Sequence, residues 1–228
     1  EVANKPVPLS TWGSASARHL QFYMLLYPNR TREQILDAFW PSLSPQKAKA
    51  SFHTTKFRLK RALDREVIEF DGQRYTLNPD LKAWFDVAHF RELLEQWRRN
   101  ETLEALQEAV SLYTDDLLTD CYLDWCQQER EALRLEFVDA LAQLAERYLT
   151  RRQYRRAIET LQRALSVDPT HETFHQQLMR AYALAGERSR ALAQYERCKT
   201  ILRTQIGVPP STTTETLRAQ IQAEQLFD

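Results

Sequence analysis

From Pro45 to Leu63 the chain carries Lys47, Lys49, Lys56, Arg58, Lys60 and Arg61 without one acidic residue, and it then leads almost directly into two short apolar runs ending at Leu77. Ala48, Phe52, Leu59 and Leu63 recur at three- and four-residue spacing, which places them on one face of a helix with enough apolar surface to dock on a core. Ser44 and Pro45 mark the helix start: a Ser side chain can accept from a free first-turn amide, and Pro at the first helical position gives up no hydrogen bond. The segment from Glu66 to Leu77 predicts a hairpin with Ile68, Phe70, Tyr75 and Leu77 as its apolar positions. Asp71-Gly72 predicts its two-residue turn, both residues at positive φ, with Arg74 projecting near the tip.

Solvated helices usually mix charge signs one turn apart, so a helix whose exposed face is all cationic suits a polyanion better than water. A basic helix followed by a hairpin is also the order of a winged DNA-binding unit. Ser51, Thr54, Phe57, Arg58 and Arg61 lie away from the core face and are the expected groove contacts, Arg58 being suited to bidentate reading of a guanine edge. Phe57 either packs on the loop before the helix or meets thymine methyl groups. Lys47, Lys49 and Lys60 are expected to neutralise phosphates, which adds affinity without sequence information, and Arg74 would contribute from the wing.

The whole chain balances 31 basic against 31 acidic residues, yet residues 1–82 hold 13 Lys or Arg against 8 Asp or Glu, leaving 18 against 23 in the rest. Charges more than about 10 Å apart are screened at ordinary salt, so a basic head can attract phosphates despite the neutral total. At 228 residues, 43% hydrophobic, the chain has room for two modest domains. The seam is placed at Lys82–Asp86, giving a winged-helix domain at 1–82 and an all-α domain at 83–228. Three cysteines, Cys121, Cys126 and Cys198, have no C-x-x-C spacing and are read as small buried hydrophobes, and a reducing cytoplasm is the simplest setting. No apolar stretch approaches the ~20 residues that span a bilayer, so no membrane partner is expected. The start, through Leu9, reads as the tail of a strand cut from something longer.

Within the head, Ser14–Tyr27 predicts a first helix with Leu20, Met24 and Leu25 inward, and Thr31 with Gln34 forms a capping box opening a second helix that Pro41 closes. Beyond the seam, helical periodicity covers 86–99, 102–113, 122–150, 154–166, 171–185, 188–205 and 212–225. An internal repeat of 34 residues pairs Leu144 with Leu178, Tyr148 with Tyr182, Ala157 with Ala191, Leu161 with Tyr195 and Ala164 with Cys198. That period, with small residues where paired helices touch, is similar to tetratricopeptide repeats, Pro169 closing the first. Leu141 and His175 stand at its Trp position.

His171-Glu172-Thr-Phe-His175 matches H-E-x-x-H, a zinc-protease pattern, but His175 falls at an inward repeat position, no H-x-x-G-x-x-H extension follows, and a third ligand would have to be improvised from Glu187 or Glu196. No metal is therefore assigned. With glycines at 13, 72, 186 and 207 alone, neither a phosphate-binding loop nor a dinucleotide turn can form, so no cofactor and no enzyme activity are expected. Two other classes stay open on the residues alone: a repeat scaffold whose winged unit never touches DNA, and a metalloprotease.

Taken together, Arg32–Pro41, Arg58–Leu63, Trp84–Phe90, Asp124-Trp125 with Arg130, Asp168–Tyr182 and Gly207–Ser211 resemble bacterial transcriptional activators of the SARP type. These have an OmpR-like winged helix followed by a bacterial transcriptional activator domain, and the resemblance runs from Pro8 to Leu217. Asp115 and Asp120 stand where the family pattern has Gly, and Asp is the residue expected to tolerate positive φ there. The resemblance implies a regulator that docks its third helix in the major groove and its wing near the adjacent minor groove. It also implies direct-repeat sites bound by side-by-side, self-associating protomers, and recruitment of RNA polymerase.

Overall fold

The computed structural model describes residues 9–81 and 83–224; the strand tail expected at the start and Lys82 of the seam lie outside the described residues. Ten α-helices and one two-stranded sheet are described, and the chain divides into two compact units, Glu1–Arg91 with Asp115–Ala132, and Glu92–Thr114 with Leu133–Asp228.

In the first unit a short 3₁₀ turn, Leu9–Trp12, precedes α1 (Ala15–Leu26), α2 (Arg32–Phe39) and α3 (Pro45–Leu63), and the hairpin strands are β1 (Ile68–Phe70) and β2 (Tyr75–Leu77). Ser14 caps α1 by accepting from the Ala17 amide at 3.4 Å, and Leu20 and Met24 are fully buried while Leu25 is only half-buried. The capping box at α2 is made in both directions: Thr31 Oγ1 accepts from Gln34 N at 3.3 Å, and Gln34 Oε1 accepts from Thr31 N at 3.0 Å. Ser44 precedes α3 without a side-chain cap, so the start of α3 rests on Pro45.

The strands pair antiparallel with Ile68 opposite Leu77 and Phe70 opposite Tyr75, and Tyr75 exchanges backbone hydrogen bonds with Arg30, tying the hairpin to the α1–α2 connection. Its turn is centred one residue later than the dipeptide rule places it. Asp71 N donates to Arg74 O at 3.1 Å, Asp71 Oδ1 accepts from the amides of Gln73 and Arg74 at 2.8 and 2.7 Å, and only Gly72 has positive φ, 103°. The carboxylate takes over amides that a tighter turn would pair with backbone.

Residues 115–132 complete this unit's core: Cys121, Trp125 and Cys126 are buried among residues of α1, α2 and α3. The Trp125 ring lies 5.2 Å from Tyr23, 6.4 Å from Tyr27 and 5.8 Å from Phe39. Glu129 accepts from Tyr27 Oη at 2.8 Å and pairs with Arg91 at 2.6 Å. The irregular stretch before α6 is held by Arg130, which donates to the carbonyls of Leu117 at 2.9 Å, Leu118 at 2.8 Å and Cys121 at 3.0 Å. Leu118, at φ 45°, takes the left-handed conformation expected of Asp115 and Asp120; neither Asp does, and Asp120 instead pairs with Arg18.

Helices α4 (Asp86–Asn100), α5 (Leu103–Leu112) and α6 (Asp124–Thr150) lead to α7 (Tyr154–Val167), α8 (Glu172–Leu184), α9 (Arg188–Ile201) and α10 (Thr212–Gln222). The helix expected to reach residue 205 ends at Ile201 and continues as a π turn, Leu202–Ile206, before Gly207. All ten residues of the 34-residue pairing are buried. The repeat extends to the turns: Gln153 N and Glu187 N each bond at 2.8 Å to the carbonyl of Tyr148 and Tyr182, with Arg152 at φ 56° and Gly186 at φ 79° in the equivalent left-handed position. Arg156 and Arg190, also one period apart, lie over the Tyr148 and Tyr182 rings at 5.8 and 4.4 Å.

Candidate nucleic-acid interface

The rotation of α3 is fixed from behind. Ala48, Phe52, Thr55, Leu59 and Leu63 are buried, Phe52 meeting the Tyr75 ring edge-on at 4.9 Å and Trp40 at 6.5 Å. Thr55, unexpected on this apolar face, returns its hydroxyl to Ser51 O at 2.8 Å, which removes the cost of burying it. At about 100° per residue, Lys47, Thr54, Phe57, Arg58 and Arg61 then share roughly 100° of the opposite face along about 21 Å of axis. All five are exposed.

Within that stripe and beside it, Lys47, Lys49, Arg58 and Arg61 have no ion-pair partner among the described residues. Phe57 is 60% exposed and packs on no other ring among the described residues. Thr54 donates to Ala50 O at 3.0 Å, which leaves its oxygen as an outward acceptor. Ser51 is half-buried at the flank of the stripe, and Lys49 and Lys60 lie round the other side.

Two of the sequence-selected residues are partly engaged. Lys60 Nζ lies 2.8 Å from Glu66 Oε2, and Lys56 Nζ lies 3.2 Å from Glu66 Oε1 and 6.0 Å above the Tyr75 ring. Hydrogen bonds from Lys60 and then Lys56 hold the Glu66 carboxyl below its usual range. Arg74 Nη1 donates to Asn29 O at 2.8 Å, so its guanidinium fastens the wing to the α1–α2 connection while staying exposed. The Phe70 ring lies 4.6 Å from that of Tyr75, tilted by 31°, and Phe70 is 52% exposed, so one of the hairpin's apolar positions stays on the wing surface. Sequence reasoning missed Glu66, which lies outside the helix and reaches it only once the chain turns after Asp64, itself in the left-handed region at φ 51°.

The H-E-x-x-H residues are occupied structurally. His175 is fully buried, its Nε2–H donates to Pro169 O at 2.9 Å, and its Nδ1 accepts from Gln194 Nε2 at 2.6 Å. Glu172 Oε1 accepts from Ser211 N at 2.7 Å and from Thr214 Oγ1, joining α8 to the start of α10, and His171 stacks on Phe174 at 4.0 Å.

Residues 85–222 match the bacterial transcriptional activator domain, and the chain belongs to that family. Its relatives are regulators: it is 23% identical over 218 residues to regulatory protein AfsR of Streptomyces coelicolor, covering 92% of this chain and 22% of that one. Transcriptional regulatory protein MoaR1 of Mycobacterium tuberculosis is 24% identical over 225 residues, with 92% and 72% covered. The chain therefore spans about a fifth of AfsR and most of MoaR1. The solved structure of Mycobacterium tuberculosis EmbR in complex with a low affinity phosphopeptide shares the fold, with TM-score 0.74 and 24% identity over 98% of this chain and 62% of that one.

Proposed function

We propose that this chain regulates transcription from within the cytoplasm by binding double-stranded DNA sequence-specifically, with α3 in the major groove and the β1–β2 wing against the neighbouring backbone. The observation that carries the reading is the acid-free exposed face of α3, with Lys47, Arg58 and Arg61 unpaired on a helix whose opposite face is locked in a core. In this reading Arg58 reads a guanine edge, Thr54, Phe57 and Arg61 face the groove at base edges and thymine methyls, Ser51 lines the flank, and Lys47, Lys49 and Lys60 meet phosphates. Arg74 positions the wing. The sequence modules 1–82 and 83–228 divide the work: the head binds direct repeats and the repeat-containing body supports self-association and contact with RNA polymerase, with activation as the outcome.

Selection of bound fragments from random DNA supplies the site, and anisotropy titrations then separate the roles. Arg58→Ala is expected to lose about 1–3 kcal/mol of discrimination at one base position. Lys47→Ala should weaken specific and random DNA alike and flatten the salt dependence by about one unit. Equal losses on specific and random DNA for Arg58→Ala would remove the readout role, and absence of binding to any duplex at low salt would remove the whole reading.

A further inference from the structure

The exposed face of α3 is acid-free but not cationic throughout. At about 100° and 1.5 Å per residue, Ala50, Thr54 and Phe57 fall within about 60° of one another, from about 4.5 to 15 Å along the axis beyond Lys47. Arg58 and Arg61 follow at the C-terminal end of this strip. All three strip residues are exposed, Phe57 by 60%. Thr54 donates its hydroxyl hydrogen to Ala50 O at 3.0 Å, so toward a ligand it offers a methyl group and an acceptor but no donor. The strip thus presents two methyl groups, one acceptor and an aromatic ring, bracketed by the unpaired cations Lys47, Arg58 and Arg61.

We propose that Ala50, Thr54 and Phe57 form a thymine-methyl reader, so that the DNA this chain selects carries a short run containing A·T pairs beside the guanine that Arg58 takes. This deepens the DNA-binding reading and rests on α3 entering the major groove. The chemistry of the strip separates the base pairs. A guanine edge shows two acceptors and needs donors, which the strip lacks. An A·T pair shows the thymine methyl, which alanine, threonine methyl and phenylalanine side chains contact, and the adenine amino group, which the Thr54 oxygen can accept. A C·G pair offers the cytosine amino group without the methyl, so the methyl contact is what tells the two apart. Ala50 is the contact that the cationic pattern of the helix hides, since a bare Cβ carries no charge and lets the helix backbone come close to the bases. From Ala50 to Phe57 the strip runs about 10.5 Å, so the methyl groups it meets lie no more than about three base steps apart, at about 3.4 Å each.

The full chain is used to select duplexes from random DNA, and each thymine of the selected site is then replaced in turn by deoxyuridine, which removes the methyl group and leaves base pairing intact. Anisotropy titrations at one salt concentration should find two or three positions where the loss weakens binding about fourfold, the worth of one buried methyl group. These positions should fall within about three base steps of each other, and deoxyuridine elsewhere in the site should change nothing. Phe57→Ala should abolish the methyl dependence at one of them and Ala50→Gly at another, while the guanine preference set by Arg58 stays. The wild-type series needs no variant and decides even where a variant fails to fold. A selected site without thymine, binding indifferent to every deoxyuridine, or methyl dependence unchanged in both variants overturns the methyl reader while DNA binding stands. Absence of binding to any duplex at low salt overturns the two together.

Discussion

Glu66 sets how much of the charge of α3 is left for a ligand. Its carboxylate holds Lys60 at 2.8 Å and Lys56 at 3.2 Å, and a phosphate approaching that side must compete with it. Glu66→Gln should therefore tighten DNA binding at low salt and steepen the salt dependence by about one to two units, since each freed lysine that meets a phosphate adds close to one. An unchanged slope would place both lysines outside the contact surface. Two histidines make stability depend on pH with opposite signs. Burial holds His175 below its usual value against the hydrogen bond to Pro169, so the unfolded chain binds a proton that the folded one refuses. Its contribution is full above about pH 6.5 and is lost as pH falls toward the folded value. His19 is raised: burial opposes this, but the hydrogen bonds with Cys121 and Asp120 outweigh it, so its contribution is full below about pH 6.5 and is lost as pH rises through the folded value. Thermal unfolding followed between about pH 5 and 8 should lose its acid-side fall in His175→Gln and its alkaline-side fall in His19→Gln.

At the level of elements, the parts that the sequence made legible are those set by backbone period alone. Ala48, Phe52, Leu59 and Leu63 face inward because 3.6 residues per turn leaves no other face for them, and the 34-residue pairs are buried because each pair occupies the same place in a repeated helix hairpin. What was not legible depends on side chains answering to partners brought in from elsewhere. Asp71 spends its carboxylate on two amides and shifts the hairpin turn by one residue; Glu66 reaches back to α3; Leu118 takes a left-handed conformation because Arg130 holds the carbonyls around it. The cationic stripe of α3 was readable as a face, but the division into free and engaged cations was not. The repeat turns give a direct test of backbone strain. The second holds its left-handed position with Gly186, where an added Cβ meets nothing within 4 Å, so Gly186→Ala carries a backbone cost alone, about 1–2 kcal/mol. The first holds the same position with Arg152, so Arg152→Gly should stabilise by roughly the part of that strain that glycine's greater unfolded-state freedom leaves, about 0.5–1 kcal/mol. Denaturant titration of the two variants checks the sign, and a destabilised Arg152→Gly would mean that the Arg side chain, not the backbone, governs the turn.

Taken as a molecule, the chain folds across the boundary that its sequence modules suggest, because the first compact unit takes in Asp115–Ala132 from the region matching the activator domain. The reason is aromatic and ionic. Trp125 sits within 6.4 Å of the Tyr23, Tyr27 and Phe39 rings, Glu129 takes the Tyr27 hydroxyl, and Arg18 grips Asp120. A fragment ending at residue 82 would keep α1–α3 and the hairpin but would bare the side of that core which Cys121, Trp125 and Cys126 cover. The helix that bears the cationic stripe is positioned by the same core, so its presentation depends on residues far along the chain. Trp125→Ala in the full chain should cost about 3–5 kcal/mol, the range for truncating a buried aromatic. The 1–82 fragment should melt lower than the first unit of the intact chain and bind a hydrophobic dye. Adding residues 83–132 should recover the melting temperature, whereas adding only 83–91 should not. If the 1–82 fragment unfolded at the temperature of the full chain's first transition and left the dye dark, the contribution of 115–132 to this core would be small, and the stripe on α3 would be held by the head alone.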